Sequence, residues 1–158
     1  MTADTLDESS NSPADFAGTF VQNARSMECE NDRLSLRGIS PATLYVADGP
    51  SHVVGHITAR QFVVLWTQGE HSFADNPPNA VLAFVGDSER LPADVVLVLR
   101  RPRLYLNTLA YESEAIDGSL PARAGACSLF IEPAGRPLSP RSVIEMHRAK
   151  RGGGRRGV

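Results

Sequence analysis

Residues 103–116 read RLYLNTLAYESEAI, and they have the pattern of a β-hairpin. Two short strands, at 103–106 and 109–116, flank a turn at Asn107-Thr108. Side chains along the second strand alternate between its faces, because successive residues of a strand point in opposite directions. One face carries Leu109, Tyr111 and Ser113, and the other carries Ala110, Glu112 and Glu114. The stretch therefore predicts antiparallel strands that have one buried face and one solvated face.

Comparable patterns on either side of this hairpin predict six further strands. They fall at residues 20–29, 33–37, 43–47, 80–85, 95–99 and 127–132. The runs at 80–85 and 95–99 are continuously apolar, which is typical of strands covered on both faces. At 33–37, strict alternation places Leu34 and Leu36 on one face. We therefore predict a mainly β fold: an antiparallel β-sandwich or partly open barrel of seven to eight strands, with one short amphipathic helix.

The helix is predicted at residues 58–68, where signals for both of its ends are present. Thr58 and Gln61 have the spacing of a capping box, in which each side chain bonds the backbone of the other residue. An apolar stripe and a glycine that ends the helix follow, at Phe62, Leu65, Trp66 and Gly69. A buried strand is the alternative, because residues 62–66 form a continuous apolar run with two valines. In both cases the two aromatic residues are expected in the core.

The length of 158 residues suits a single domain that buries its own core. Residues 1–11 are polar and acidic, and we predict that they form a disordered tail. Residues 12–147 are expected to form a single β-rich domain. Residues 148–158 are basic and rich in glycine, which predicts a second disordered tail. The net charge of −2 therefore hides an acidic beginning and a basic end.

The composition argues against several classes of protein. No apolar stretch has the roughly 18 residues of a membrane span, and the first residues lack the pattern of a signal peptide, so a soluble cytoplasmic protein is expected.

Cys29 and Cys127 are too few for a disulfide scaffold. Two unpaired thiols are expected, with one disulfide between strands as the alternative. Phosphate-cradling loops and dinucleotide-binding glycine patterns are absent, so no cofactor is predicted.

Two histidines have the spacing of metal ligands on a helix. His52 and His56 are four residues apart, which would bring them together on a helix. The surrounding Gly49, Pro50 and Val53 favour an extended chain instead, in which the two rings would be about 13 Å apart. A metal site needs three or four converging ligands, so no metal site is predicted. His56 is expected to be hydrogen-bonded in a loop ahead of the helix.

The leading functional prediction is a non-enzymatic binding or interaction module. Catalytic motifs are absent, and β folds of this kind commonly serve in recognition. Its partner would be a protein or a small-molecule ligand rather than nucleic acid or a membrane. If a site exists, the loops at both ends of the predicted helix are its expected position, although packing and capping of those loops is the favoured role of the same residues. The candidate ligand-binding residues are Tyr45, Asp48, His56, Trp66, Phe73 and Asn79.

Two other functions remain open from the sequence. A small hydrolase or metal-assisted enzyme would use His56 with Asp48 or Asp75, provided that these side chains converge within hydrogen-bond reach. A nucleic-acid-associated protein would attract phosphates with the basic C-terminal tail and the arginines of residues 100–103. Few aromatic residues accompany these arginines beyond Tyr105, which weighs against base stacking.

Overall fold

The structure is a computed structural model that describes residues 18–47, 54–87 and 89–132. Ten strands and one helix lie in these ranges. In chain order they are β1 (Gly18–Ala24), β2 (Ser26–Glu30), β3 (Arg33–Arg37), β4 (Ala42–Ala47), β5 (Val54–Thr58), α1 (Ala59–Leu65), β6 (Asn79–Phe84), β7 (Val95–Tyr105), β8 (Thr108–Asp117), β9 (Arg123–Ala124) and β10 (Cys127–Glu132). The prediction of a mainly antiparallel β fold with one helix is confirmed. Both predicted tails and Asp48 lie outside the described residues.

All ten strands belong to one antiparallel sheet, in the order β5-β4-β1-β10-β6-β7-β8-β3-β2-β9. β1 and β2 are consecutive in sequence, yet five strands lie between them in the sheet. The chain bends between them at Arg25, whose backbone N–H donates to the carbonyl of Arg37 at 3.0 Å. The prediction of a single strand at 20–29 is therefore wrong. The bend allows Phe20 and Met27 to face the same core, where both are fully buried.

β7 is one long strand, where the sequence predicted two strands separated by Pro102. A β-bulge between Arg100 and Arg103 interrupts its pairing with β8. Proline is tolerated at such a position because a bulged residue does not need to donate to the neighbouring strand. The chain then turns at Leu106 and Asn107, one residue earlier than predicted. The predicted hairpin is present, and its inward face is buried as expected, at Leu109, Tyr111 and Ser113.

Helix α1 begins as the sequence predicted. The hydroxyl of Thr58 accepts from the backbone N–H of Gln61 at 3.0 Å, and the Gln61 side chain accepts from the backbone N–H of Thr58 at 2.8 Å. The helix ends at Leu65, three residues before the predicted end at 68. Phe62 and Trp66 are both buried, which confirms their placement in the core. No helix among the described residues is long and apolar enough to cross a membrane.

The inward face of the sheet encloses an aromatic core that includes α1. Phe62 lies at its centre, with ring centroids 5.2 Å from Phe20 and 5.8 Å from Trp66. Tyr111 of β8 donates a hydrogen bond of 2.6 Å to the Gln22 side chain of β1, although three strands separate β1 from β8 in the sheet. The sheet must therefore curl around the core, since a flat sheet would hold these strands far apart.

Both cysteines are unpaired thiols, as predicted. Burial raises the pKa of Cys127 to about 11. Burial, and to a lesser extent the carboxylate of Asp32, also raises the pKa of Cys29, which is only half-buried.

We expect the two thiols to react at different rates in the folded protein. The thiolate is the reacting form, and Cys127 is both deeply buried and almost entirely protonated at about pH 8. An aromatic disulfide reagent should therefore label Cys29 quickly and Cys127 only slowly. Labelling of the variants Cys29→Ser and Cys127→Ser assigns the fast and the slow reaction to one cysteine each. Unfolding in urea should make the two rates similar. Equal rates in the folded protein would contradict the burial of Cys127.

Candidate anion-binding site

Five arginines lie on the outward face of strands β3, β7 and β8. The pairing register arranges the outward side chains in three rows across β3, β8 and β7. These rows are Arg33, Glu112 and Arg100; Ser35, Ala110 and Arg103; and Arg37, Thr108 and Tyr105. We call this surface, together with Arg101, the arginine face. Its centre has small side chains, whereas long cationic side chains surround them.

The bulge in β7 brings Arg101 onto this face. In a regular strand, Arg100 and Arg101 would point to opposite sides. Here Arg101 has a φ of 53° and stands in the unpaired part of the bulge. Its Nη1 atom lies 3.3 Å from both carboxylate oxygens of Glu112, while Nη1 of Arg100 lies 3.6 Å from Oε1 of Glu114. Both glutamates project outward from β8, so both arginines share the outward side.

A left-handed conformation is costly for a residue other than glycine, by about 1–2 kcal/mol. Arg101 adopts it directly before Pro102, in a strand that is otherwise regularly paired to its neighbours. The surrounding sheet must therefore stabilise the bulge. Bulges of this kind redirect side chains, and this one places three arginines of β7 on a single face.

The positive charge on the arginine face exceeds the negative charge. Arg37 pairs with Glu28 of β2 at 3.1 Å, and the two glutamates of β8 pair with Arg100 and Arg101. The guanidinium groups of Arg33 and Arg103 make no hydrogen bond or ion pair within residues 18–47, 54–87 and 89–132. Both side chains are exposed. Exposed ion pairs contribute only about 0–1 kcal/mol each, so even the paired arginines can exchange partners at little cost.

Two depressions mark this surface. A small one lies beside Ala110 and is lined by Arg33, Arg101, Arg103 and Glu112. A larger open groove of about 710 Å³ extends from Arg33 to the turn between β2 and β3. That turn consists of Asn31 and Asp32, which have φ values of 51° and 65°. Three arginines thus surround one carboxylate at the small depression, whose volume is only about 10 Å³. The larger groove is lined by Arg33 and Arg100 and by the carboxylates of Asp32, Glu112 and Glu114.

Three of the predicted site residues lie together, but in the core. Tyr45, Trp66 and Phe73 are exposed by only 3%, 3% and 1%. The rings of Trp66 and Phe73 are 5.0 Å apart, and Phe20 lies between Tyr45 and Phe73 at 6.4 Å and 6.3 Å. Their contacts are those of core packing, which agrees with the alternative weighed in the sequence.

The other predicted site residues are placed differently. His56 is exposed on β5 and pairs with Leu44 of β4, so it does not stand in a loop as expected. Its neighbour Gly55 faces the ring of Tyr45, so the His56 side chain points to the opposite side of the strand. Asn79 is half-buried at the start of β6, between β7 and β10. The described members of the predicted site therefore do not form one pocket.

The hydrolase hypothesis finds no supporting contact among the described residues. His56 and Asp75 are both exposed, and no hydrogen bond joins their side chains. In the same part of the chain, no group of three or more His, Cys, Asp or Glu side chains is placed to hold a metal ion. Asp48, the other acid that the hydrolase hypothesis named, lies outside the described residues.

Sequence reasoning found part of the arginine face and missed the rest. The basic run at residues 100–103 was recognised, but Arg33 and Arg37 come from a strand that is distant in sequence. The signal that was available is the alternation at 33–37, which places both arginines on the face opposite to Leu34 and Leu36. Comparison of the chain with protein-family models, with curated proteins and with solved structures finds no match. The chemistry of the arginine face therefore carries the functional interpretation.

Proposed function

We propose that this protein is a non-enzymatic binding module that holds an anionic ligand on the arginine face. The observation that carries this proposal is the pair Arg33 and Arg103. Both are exposed, and within the described residues neither guanidinium has an acidic partner. The planar guanidinium group matches carboxylate and phosphate oxygens through two parallel hydrogen bonds.

An ion pair within the face supports this proposal. Arg101 contacts both oxygens of the Glu112 carboxylate. An anion seated over the small side chain of Ala110 would lie in the row that holds Arg103, next to the row that holds Arg33. Because paired strands fix the backbone of Arg33, Ala110 and Arg103, binding requires ordering of the arginine side chains but not of this backbone. A phosphate, with its higher charge, should compete well with the carboxylate of Glu112.

The test is binding of inorganic tripolyphosphate to the full chain, measured by titration calorimetry. We expect the double variant Arg33→Gln/Arg103→Gln to bind at least about tenfold more weakly, since each charged hydrogen bond contributes about 1.5–3 kcal/mol before losses. The matched control is Arg60→Gln/Arg90→Gln, which removes the same charge at exposed positions outside the face. Equal losses in both variants, or no binding by the unaltered protein, would refute the proposal.

A further inference from the structure

An exposed aromatic ring extends the arginine face toward the tip of the β7–β8 hairpin. Tyr105 is 75% exposed and pairs with Thr108 in the third row of the face. It stands two residues after Arg103, so both side chains project from the same side of β7. The adjoining Leu104 points the other way and packs against the core. The ring therefore lies next to the cationic centre and is open to a ligand.

The hairpin tip that presents this ring is held in place. The carbonyl of Asn107 accepts from the backbone N–H of Ile39 at 2.9 Å. Leu106 has a φ of 56° and is 82% exposed, at a position where glycine or asparagine would be less strained. Packing among the described residues does not account for a leucine here. The tip thus combines a backbone that is hydrogen-bonded to Ile39 with apolar and aromatic surface exposed to solvent.

We infer that the anionic ligand is a single-stranded nucleic acid, whose phosphates contact the arginines and whose base stacks on Tyr105. The inference rests on the proposed function and identifies the ligand of the same face. The cations span about 7 Å along β7, from Arg100 to Arg103, and about 14 Å along β3, from Arg33 to Arg37, and these two strands lie about 10 Å apart. A single small anion would use only part of that area. A chain of phosphates would use all of it.

The exposed ring of Tyr105 favours single-stranded nucleic acid over other polyanions. Polyphosphate has nothing to stack on Tyr105, and the paired bases of a duplex are covered by their neighbours. Unpaired bases do stack on exposed aromatic side chains, in a manner that tolerates different sequences. A membrane surface would meet Leu106 at the tip first, and Arg100 stands several residues back along the strand. Single-stranded nucleic acid in an extended conformation best explains the arginines and Tyr105 together.

The experiment measures fluorescence anisotropy of labelled oligothymidylate and oligouridylate of about 15 nucleotides, with the full chain. We expect Tyr105→Ala to weaken binding about tenfold and Tyr105→Phe to bind like the unaltered protein. Three or four phosphate contacts would give a slope of about −2 to −3 for log K against log salt concentration. The basic segment at residues 148–158 is present in every variant, so differences between variants report on the face.

Two further measurements separate this inference from the proposed function. An abasic oligonucleotide of equal length should bind about as weakly as Tyr105→Ala binds the normal one. Tripolyphosphate should bind Tyr105→Ala and the unaltered protein equally. If oligonucleotide binding is insensitive to Tyr105 but lost in Arg33→Gln/Arg103→Gln, the stacking inference is overturned and the proposed function stands. Binding to vesicles of anionic lipid, with none to either oligonucleotide, would overturn it as well.

Discussion

Phe62→Ala is expected to lower the free energy of unfolding by about 3–5 kcal/mol. The Phe62 side chain is completely buried, and its ring contacts Phe20, Trp66 and Phe73 at centroid distances of 5.2, 5.8 and 6.3 Å. Truncation removes these contacts and leaves a cavity that the rigid surrounding strands cannot fill. Urea unfolding followed by tryptophan fluorescence measures the effect. For a chain of this size, the midpoint of thermal unfolding should fall by about 10 °C.

Val64→Ala is the matched control on the same helix. Val64 is 54% exposed, so its truncation removes little buried surface and replaces a β-branched residue with a better helix former. We expect a change within about 0.5 kcal/mol. Similar losses in the two variants would mean that α1 does not pack into the sheet as described.

Local signals explain which parts of the fold were predictable. The capping box at Thr58 acts within one turn of helix, so its residue types suffice to place the start of α1. Alternation likewise determined the faces of β3 and β8, because it depends on neighbouring residues alone. The bend at Arg25 has no glycine or proline to mark it. It arises because both halves of the segment bury side chains in one core, and only the folded chain shows this.

The long strand β7 contains a proline, which local rules place at the end of a strand. Pro102 cannot donate a backbone hydrogen bond, and it lies between the two strands that were predicted at 95–99 and 103–106. In the structure it follows Arg101 in the bulge, where no donor is needed. Whether proline breaks a strand therefore depends on the register with its partner, here β8. The short strands β5 and β9 were not predicted, since few residues in either carry a clear pattern.

The candidate site was less predictable than the fold, for a physical reason. Arg33 and Arg103 are 70 positions apart, and the pairing of both β3 and β7 with β8 brings them onto one face. No local pattern reports that pairing. The aromatic residues Tyr45, Trp66 and Phe73 were instead favoured by their type and by their proximity to predicted loops. Large aromatic side chains more often stabilise a core than bind a ligand, and these three do so here.

Tyr111→Phe is expected to lower the free energy of unfolding by about 1–3 kcal/mol, although it removes a single oxygen atom. The Tyr111 hydroxyl donates to Oε1 of Gln22 at 2.6 Å, and Nε2 of Gln22 donates to the Thr43 hydroxyl at 3.3 Å. All three side chains are buried, with at most 1% exposure. Burial also raises the pKa of Tyr111, so the hydroxyl keeps its proton and remains a donor. Its loss leaves an acceptor of Gln22 unsatisfied in the core.

The cost of an unsatisfied buried group predicts how a second substitution behaves. Gln22→Leu removes the acceptor that Tyr111→Phe leaves without a donor. The double variant Tyr111→Phe/Gln22→Leu should therefore lose less stability than the sum of the single losses. A coupling of at least about 0.5 kcal/mol in urea unfolding would show this. Tyr105→Phe, which removes a hydroxyl from a 75% exposed ring, is the control and should leave stability unchanged. If Tyr111→Phe matched that control, the hydrogen bond between β8 and β1 would contribute nothing to stability.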